Sequence, residues 1–361
     1  MTQNPSLLPT AIKPIHYDLT ILPKITSLTF DGLVYINLLV KKDTDSIVFN
    51  CKALDIKVAQ VTKDKDNSEI EIAETIVNSE KQTCTLRLTS YLKKDEKWTL
   101  YIEFHGTINR GMAGFYGSSY NDLEGNEKMV VSTHFESSDA RQAFPCWDEP
   151  ALRATFDIKL IVEKDLIALA NTPVESKNEI EINGERFDEY TFERTPNMST
   201  YIVAFAIGDF DYVEGRTVEQ DIVTRVYATR GSAHLGKFAL DVAVRSMDLY
   251  YKLFDQPYPI KKLDLIAIPD FNIAAMENWG LITFRTVRLL NEDGISSLES
   301  TQSVADSVAH EVAHQWFGNL VALEWWSQLW LKEGFATYIA SYAVDKLFPE
   351  WDTWTKFIID N

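Results

Sequence analysis

The chain has little of what marks several protein classes. It carries three cysteines in 361 residues, Cys51, Cys84 and Cys146, too few for a disulfide framework. No apolar run reaches the roughly 18 residues that a membrane-spanning helix needs, so no span is expected. Lys and Arg number 35 against 53 Asp and Glu, a formal charge of −18. No basic cluster interrupts that excess. So acidic a chain repels phosphate backbones, which argues against direct nucleic-acid binding. Residues 1–14 show no positive start followed by an apolar core. No secretory signal is therefore expected there, and the cytoplasm is the expected location. The sequon Asn197-Met198-Ser199 points weakly the other way. There is no internal repeat and no low-complexity tract.

What is present is ordinary for a folded protein, with 45% hydrophobic and 24% charged residues, and the length suits two domains. Short alternating runs recur early: 17–22, 33–38, 84–88, 98–102, 156–160 and 201–205. Charged or Gly-containing turns separate them, as in a large antiparallel sandwich or saddle. Near Gly208 the character changes. Leu235, Phe238, Ala239, Val242, Leu249, Tyr250 and Leu253 trace a helical face, which Pro257 and Pro259 stop. Residues 263–268 and 281–285 read as strands. A helix is expected over 303–320, with Val304, Val308, Val312 and Trp316 at spacings of four. A second starts in the Trp325–Ala336 run, Pro349 ends a helix, and Trp351, Trp354, Phe357 and Ile358 begin another. The expected division is 1–208, β-rich, and 209–361, mixed α/β. Because Asn361 falls inside an amphipathic pattern, the second domain is expected to be incomplete at its C-terminal end.

The chemistry concentrates at His310-Glu311-Val312-Ala313-His314 and Glu333, the pattern H-E-x-x-H-x18-E. Two imidazoles four residues apart share one helix face and reach one metal ion. A carboxylate from a second helix supplies a third ligand. Three protein ligands leave a position open, the arrangement of a catalytic zinc site. Glu311 can take a proton from a metal-activated water. A five-residue match of this kind arises by accident in on the order of 1% of chains this long, so context matters. Glu333 sits inside so apolar a stretch that burying it is costly unless it is paired, protonated or metal-bound. Mixed nitrogen and oxygen ligands suit one Zn2+ per chain.

Between the two later strands lies Ala274-Ala275-Met276-Glu277-Asn278-Trp279-Gly280. It resembles the GxMEN motif of the M1 family of zinc aminopeptidases, which accompanies HExxH-x18-E. Further matches are Pro14-Ile15-His16-Tyr17-Asp18-Leu19, Phe135-Glu136, the run Ala140–Pro150 and Pro196–Tyr201. Each is weak alone; their order and spacing are specific, and the likeness runs nearly end to end. The resemblance implies an all-β saddle domain followed by a thermolysin-like α/β zinc-peptidase domain, truncated here before the family's helical parts. It also implies a transition-state tyrosine donor whose equivalent falls beyond Asn361. Such donors are worth ~10²–10³ in rate.

The resemblance further implies that Glu277 and Glu136 anchor a substrate's free α-ammonium. Carboxylates favour a cation and set its distance from the metal. Ala274 and Ala275 are expected to pair with substrate main chain as an edge strand does, and Met276 and Asn278 belong to the same segment. The implied partner is a peptide with a free N-terminus. Cys146 reads as a packing residue and Trp325, Trp326 and Trp330 as core around the site. His16, His105, His134 and His234 lack ligand spacing.

The sequence also departs from the family pattern. Ala274 replaces Gly, Ser137 a common Pro, and Thr286 a common Glu. Ser327, Gln328 and Lys332 replace Asn, Asp and Asn. These changes bear on substrate handling, because the ligand set and base are intact. Two functions follow: an aminopeptidase, or a weakly active or inactive relative that holds free peptide N-termini, nascent chains among them. A thermolysin-like endopeptidase would treat free and blocked peptides alike.

Overall fold

Alternation along the early strands builds the first sheet. In the computed structural model, which describes residues 7–360, eight strands pair in the order 174–182, 185–192, 155–163, 12–24, 29–40, 97–107, 55–63, 69–70. All neighbours are antiparallel except Ile12–Lys24 with Thr155–Glu163, which run parallel. One face carries Tyr17, Leu19, Ile21, Val34, Ile36, Leu38, Leu100 and Ile102, all solvent-inaccessible. The intervening residues are partly exposed, as expected of an antiparallel sheet covered on one side. A second sheet pairs Thr44–Asn50, Thr83–Leu92 and Ile72–Asn78. Tyr17 stacks on Phe156 with ring centroids 4.7 Å apart, and its hydroxyl accepts from Trp147 N–H at 3.1 Å.

These sheets form one compact unit, made of residues through Gly117, Thr133–Lys164 and Val174–Val203. The second unit takes Ser118–Ser132, Asp165–Pro173 and the chain from Ala204 onward. The two units are thus discontinuous in sequence, with the last change of unit at Val203/Ala204. The reason is pairing. Strand Phe205–Gly208 bonds on one side to Ile167–Ala170 and on the other to Val131 and Ser132, which draws those earlier segments to it. The expected strand at 201–205 also shifts: Thr200–Ile202 is one 3₁₀ turn and the strand begins at Phe205. Tyr201 to Phe205 are all buried, so no alternation marks where extension starts.

The second unit is built on a five-stranded sheet ordered 210–216, 223–229, 262–268, 281–285, 275–276. Helix α1 (Lys237–Phe254) crosses between the parallel strands Val223–Thr229 and Lys262–Ile268. Lys262–Ile268 is buried at every position, the mark of a central strand covered on both faces. α1 ends with Asp255 in the left-handed region, just before the prolines. Helices α2 (Leu298–His314), α3 (Leu329–Leu347) and α4 (Thr353–Asp360) follow. Tyr250 Oη donates to the carbonyls of Ala309 at 3.0 Å and Ile339 at 3.4 Å, which ties α1 to α2 and α3. Among the described residues no helix is long and apolar enough to cross a membrane.

Candidate metal centre

α2 starts five residues before the expected position because Ser297 caps it, its side chain accepting from Ser300 N–H at 3.1 Å. It ends at His314 rather than near 320. Beyond it the chain turns back: Gly318 N–H donates to Val321 at 2.8 Å and Val321 N–H to Trp316 at 2.9 Å. Gly318 sits at φ +127°, a conformation open mainly to glycine. Val304, Val308, Val312 and Trp316 are buried. They hold one face of the α2 region down and leave His310 and His314 together on another.

The two histidine Nε2 atoms lie 3.0 Å apart. Glu333 Oε2, from the second turn of α3, is 3.4 Å from His310 Nε2 and 3.6 Å from His314 Nε2. These three residues form a cluster able to hold a metal ion. Tetrahedral ligands at about 2.0–2.1 Å from zinc stand about 3.4 Å from one another, so the observed separations bracket the required one. His314 Nδ1 lies 2.8 Å from the Phe317 carbonyl. Donation of its N–H there directs the Nε2 lone pair toward the cluster, as the outer partners of metal-binding histidines do. The donor set and its spacing fit zinc.

Glu311 is buried beside the cluster, and among the described residues its Oε2 has no hydrogen-bond partner. Burial pushes its carboxyl up to about 7, with His310 and His314 opposing. An orphaned, buried carboxylate oxygen is costly and marks a place where a water or ligand belongs. For His314, burial acts downward, but Glu277, Glu333 and Glu311 outweigh it and raise the imidazole to about 9. Burial raises Glu333 as well, yet its contacts with His310 and His314 hold it far below the usual carboxylate range. So much negative charge around two imidazoles is an environment made for a cation.

Strand Ala275–Met276 is the edge of the five-stranded sheet, with Ala275 opposite Phe284 and Met276 opposite Thr283. Ala274 is exposed and does not have positive φ, so replacing glycine there brings no backbone strain. Met276 and Asn278 are inaccessible, and Asn278 Nδ2 donates to Thr283 Oγ1 at 3.2 Å. Gly280 is required: at φ +79° a Cβ would meet the Asn171 carbonyl at 2.1 Å. Lys262 Nζ, buried next to Asp264, donates to the carbonyls of Gly280 and Ala170 at 2.6 Å each and fixes that turn.

Glu277 is buried and reaches toward α3, where Lys332 Nζ donates to its Oε1. Burial alone would raise its carboxyl, but Lys332 and then His314 outweigh that and hold it below its ordinary value. Its backbone carbonyl accepts from Gln315 Nε2 at 3.1 Å and Asn319 Nδ2 at 2.8 Å. Gln315 Oε1 in turn accepts from Gly280 N–H at 3.1 Å. Sequence reasoning missed Gln315 and Asn319 as the clamp on Glu277. Their signal was two amides directly after the second histidine, at a spacing of four inside an apolar stretch. Lys332 was noticed only as a departure.

Other expected residues fall elsewhere. Glu136 lies half-buried in the β-rich unit, after strand Glu127–His134, and not on the elements that carry the cluster. Cys146 is fully buried, and burial pushes its thiol well up, in keeping with a packing role. The tryptophans are not core: Trp330 is 69% exposed, and Trp325 and Trp326 are half-buried. α3 is apolar on several sides, with Leu331, Phe335 and Tyr338 also exposed, so apolar content did not tell which side packs.

Comparison with known proteins gives the family context of the chain. Residues 13–202 match the Peptidase M1 N-terminal domain and residues 238–361 the Peptidase family M1 domain. The chain is 43% identical over 351 residues to Aminopeptidase M1-B of Oryza sativa subsp. japonica, covering 97% of this chain and 39% of that protein. It is 44% identical over 353 residues to Aminopeptidase M1 of Arabidopsis thaliana, with the same coverage. With the Puromycin-sensitive aminopeptidase of Caenorhabditis elegans it shares 42% over 354 residues, 98% of this chain and 37% of that one. The chain therefore spans about two fifths of the length of these curated relatives.

Proposed function

The chain belongs to peptidase family M1, and from that premise we propose that it forms the zinc-binding part of an aminopeptidase that removes N-terminal residues from peptides. The observation that carries this reading is the convergence of His310, His314 and Glu333 beside a buried carboxylate with a free oxygen. His310, His314 and Glu333 would hold one Zn2+. Zinc supplies Lewis-acid polarisation of a water and of the scissile carbonyl when bound.

The chain's own residues do the rest. Glu311 accepts the proton of the attacking water at Oε2 and returns it to the leaving amine. His314 is held in register through Phe317. The sheet edge at Ala274, which is exposed, and Ala275, which is buried, offers backbone groups to an extended peptide. Met276 and Asn278, being inaccessible, position that edge rather than touch substrate. Glu277 supplies negative charge for a terminal ammonium, and Glu136 is assigned the same role by family resemblance alone.

The test is release of amino acids from a free peptide and from its N-acetylated counterpart by the zinc-loaded protein. Aminopeptidase action requires cleavage of the free peptide only. Equal cleavage of both would reject this reading in favour of an endopeptidase. One observation favours the second reading, a protein that holds peptide N-termini with little turnover: Glu277 already has a cationic partner. Binding without turnover in the same assay would identify that case.

A further inference from the structure

Lys332 stands on the first turn of α3, next to the ligand Glu333, where its four-carbon stem could reach solvent. Instead it is buried, its side chain 1% exposed and that of Glu277 5%. Its Nζ donates to Glu277 Oε1 and lies 3.3 Å from Glu333 Oε1. Glu333 thus presents Oε2 to the histidines and Oε1 to the lysine. Gly318 makes room, since a Cβ there would stand 3.2 Å from Lys332 Cδ and 3.7 Å from Glu277 Oε1. Phe317, Leu331 and Phe335 line an apolar cleft along the stem. A buried ammonium is costly unless paired, and here it meets two carboxylates.

We propose that Lys332 is a built-in substitute for a peptide's α-ammonium, and that it sets specificity by occupying Glu277. This rests on the aminopeptidase-type reading of the site. A terminal ammonium arriving at Glu277 meets a like charge on the same carboxylate. It must displace the lysine or share its partner. The site therefore favours a free peptide end over an N-blocked one by less than an unoccupied Glu277 would, and ligands that bring no positive charge to Glu277 lose nothing there.

The test uses the zinc-loaded chain carrying Glu311→Gln, so that peptide stays intact, and calorimetric binding of trialanine and N-acetyl-trialanine. With Lys332 present trialanine should bind only about 3-fold tighter than N-acetyl-trialanine. Lys332→Met keeps the stem and removes the charge. It should tighten trialanine roughly 10-fold, the worth of a charge-assisted hydrogen bond, and leave the acetylated peptide unchanged. Lys332→Arg should behave as the parent. Unchanged or weaker trialanine binding in Lys332→Met, with one zinc still bound, overturns the proposal. Should Lys332→Met not fold, Glu277→Gln decides. A loss of trialanine affinity under about 3-fold supports prior occupation by Lys332, and a loss of 10-fold or more overturns it. Binding of neither peptide by any zinc-loaded variant overturns the site reading itself, and this inference with it.

Discussion

Asp148 in the β-rich unit and Glu277 in the α/β unit are both carboxylates buried against a cation. Asp148 accepts from Arg141 Nε at 2.9 Å through Oδ2 and from Thr200 Oγ1 at 2.7 Å through Oδ1. Its N–H donates to Asn50 Oδ1 at 3.0 Å. Every polar atom of that carboxylate is used, and the partners come from segments far apart in sequence. Around Glu277 the arrangement is open. Its cation also leans on a second carboxylate, and nearby Glu311 keeps an oxygen with no partner among the described residues. Buried charge that closes on itself holds a fold together. Buried charge that leaves an atom unsatisfied marks a place for something else to bind.

That contrast can be broken at either end, and the largest effect is expected at the open one. Glu311→Gln removes the proton acceptor without touching a ligand. Peptide hydrolysis should fall ~10²–10⁴-fold, while metal analysis still finds one zinc. Loss of zinc from this variant would make Glu311 a ligand or a structural group. At the closed end, Asp148→Ala leaves Arg141, whose side chain is only 13% exposed, without its carboxylate. Denaturant unfolding should show a loss of about 3–5 kcal/mol, and Asp148→Asn, which can still accept, should lose less. A loss below about 1 kcal/mol would show that the pair holds nothing.

Proton linkage sharpens the open end further. In the metal-free site His314 is raised to about 9, so it carries a proton at neutral pH. Zinc takes the neutral imidazole, so uptake must expel that proton. Zinc affinity should rise with pH between about 6 and 9, by up to about tenfold per unit, and flatten above 9. Calorimetry in buffers of different ionisation enthalpy reads the proton count, and pH-independent uptake would contradict this assignment. The smallest effect belongs to an exposed pair of the β-rich unit. Lys24 and Asp31 meet at 2.7 Å but are 53% and 46% exposed. Lys24→Ala should cost less than about 1 kcal/mol in the same unfolding experiment used for Asp148.

Much of this was legible in the sequence, for reasons that differ by element. The sheet strands announced themselves because one face is covered, and residues such as Tyr17, Leu19 and Ile21 alternate with accessible neighbours. The closeness of His310 and His314 was legible because a helix brings positions four apart onto one face. Strand 205–208 was misplaced because everything around it is buried and alternation vanishes. The end of α2 was missed because a turn after His314 keeps apolar residues at helical spacing. Trp330 was assigned to the core although α3 exposes it. The Gln315 and Asn319 clamp and the Lys332–Glu277 pair were hidden, since each joins residues on different elements and no local pattern encodes them.

Zinc stoichiometry after dialysis, determined by elemental analysis on the parent chain and on His310→Ala and Glu333→Ala, reaches the centre of this reading directly. One zinc per parent chain, with both variants retaining almost none, is the expected result. A parent that holds no zinc, or variants that hold as much as the parent, would contradict it.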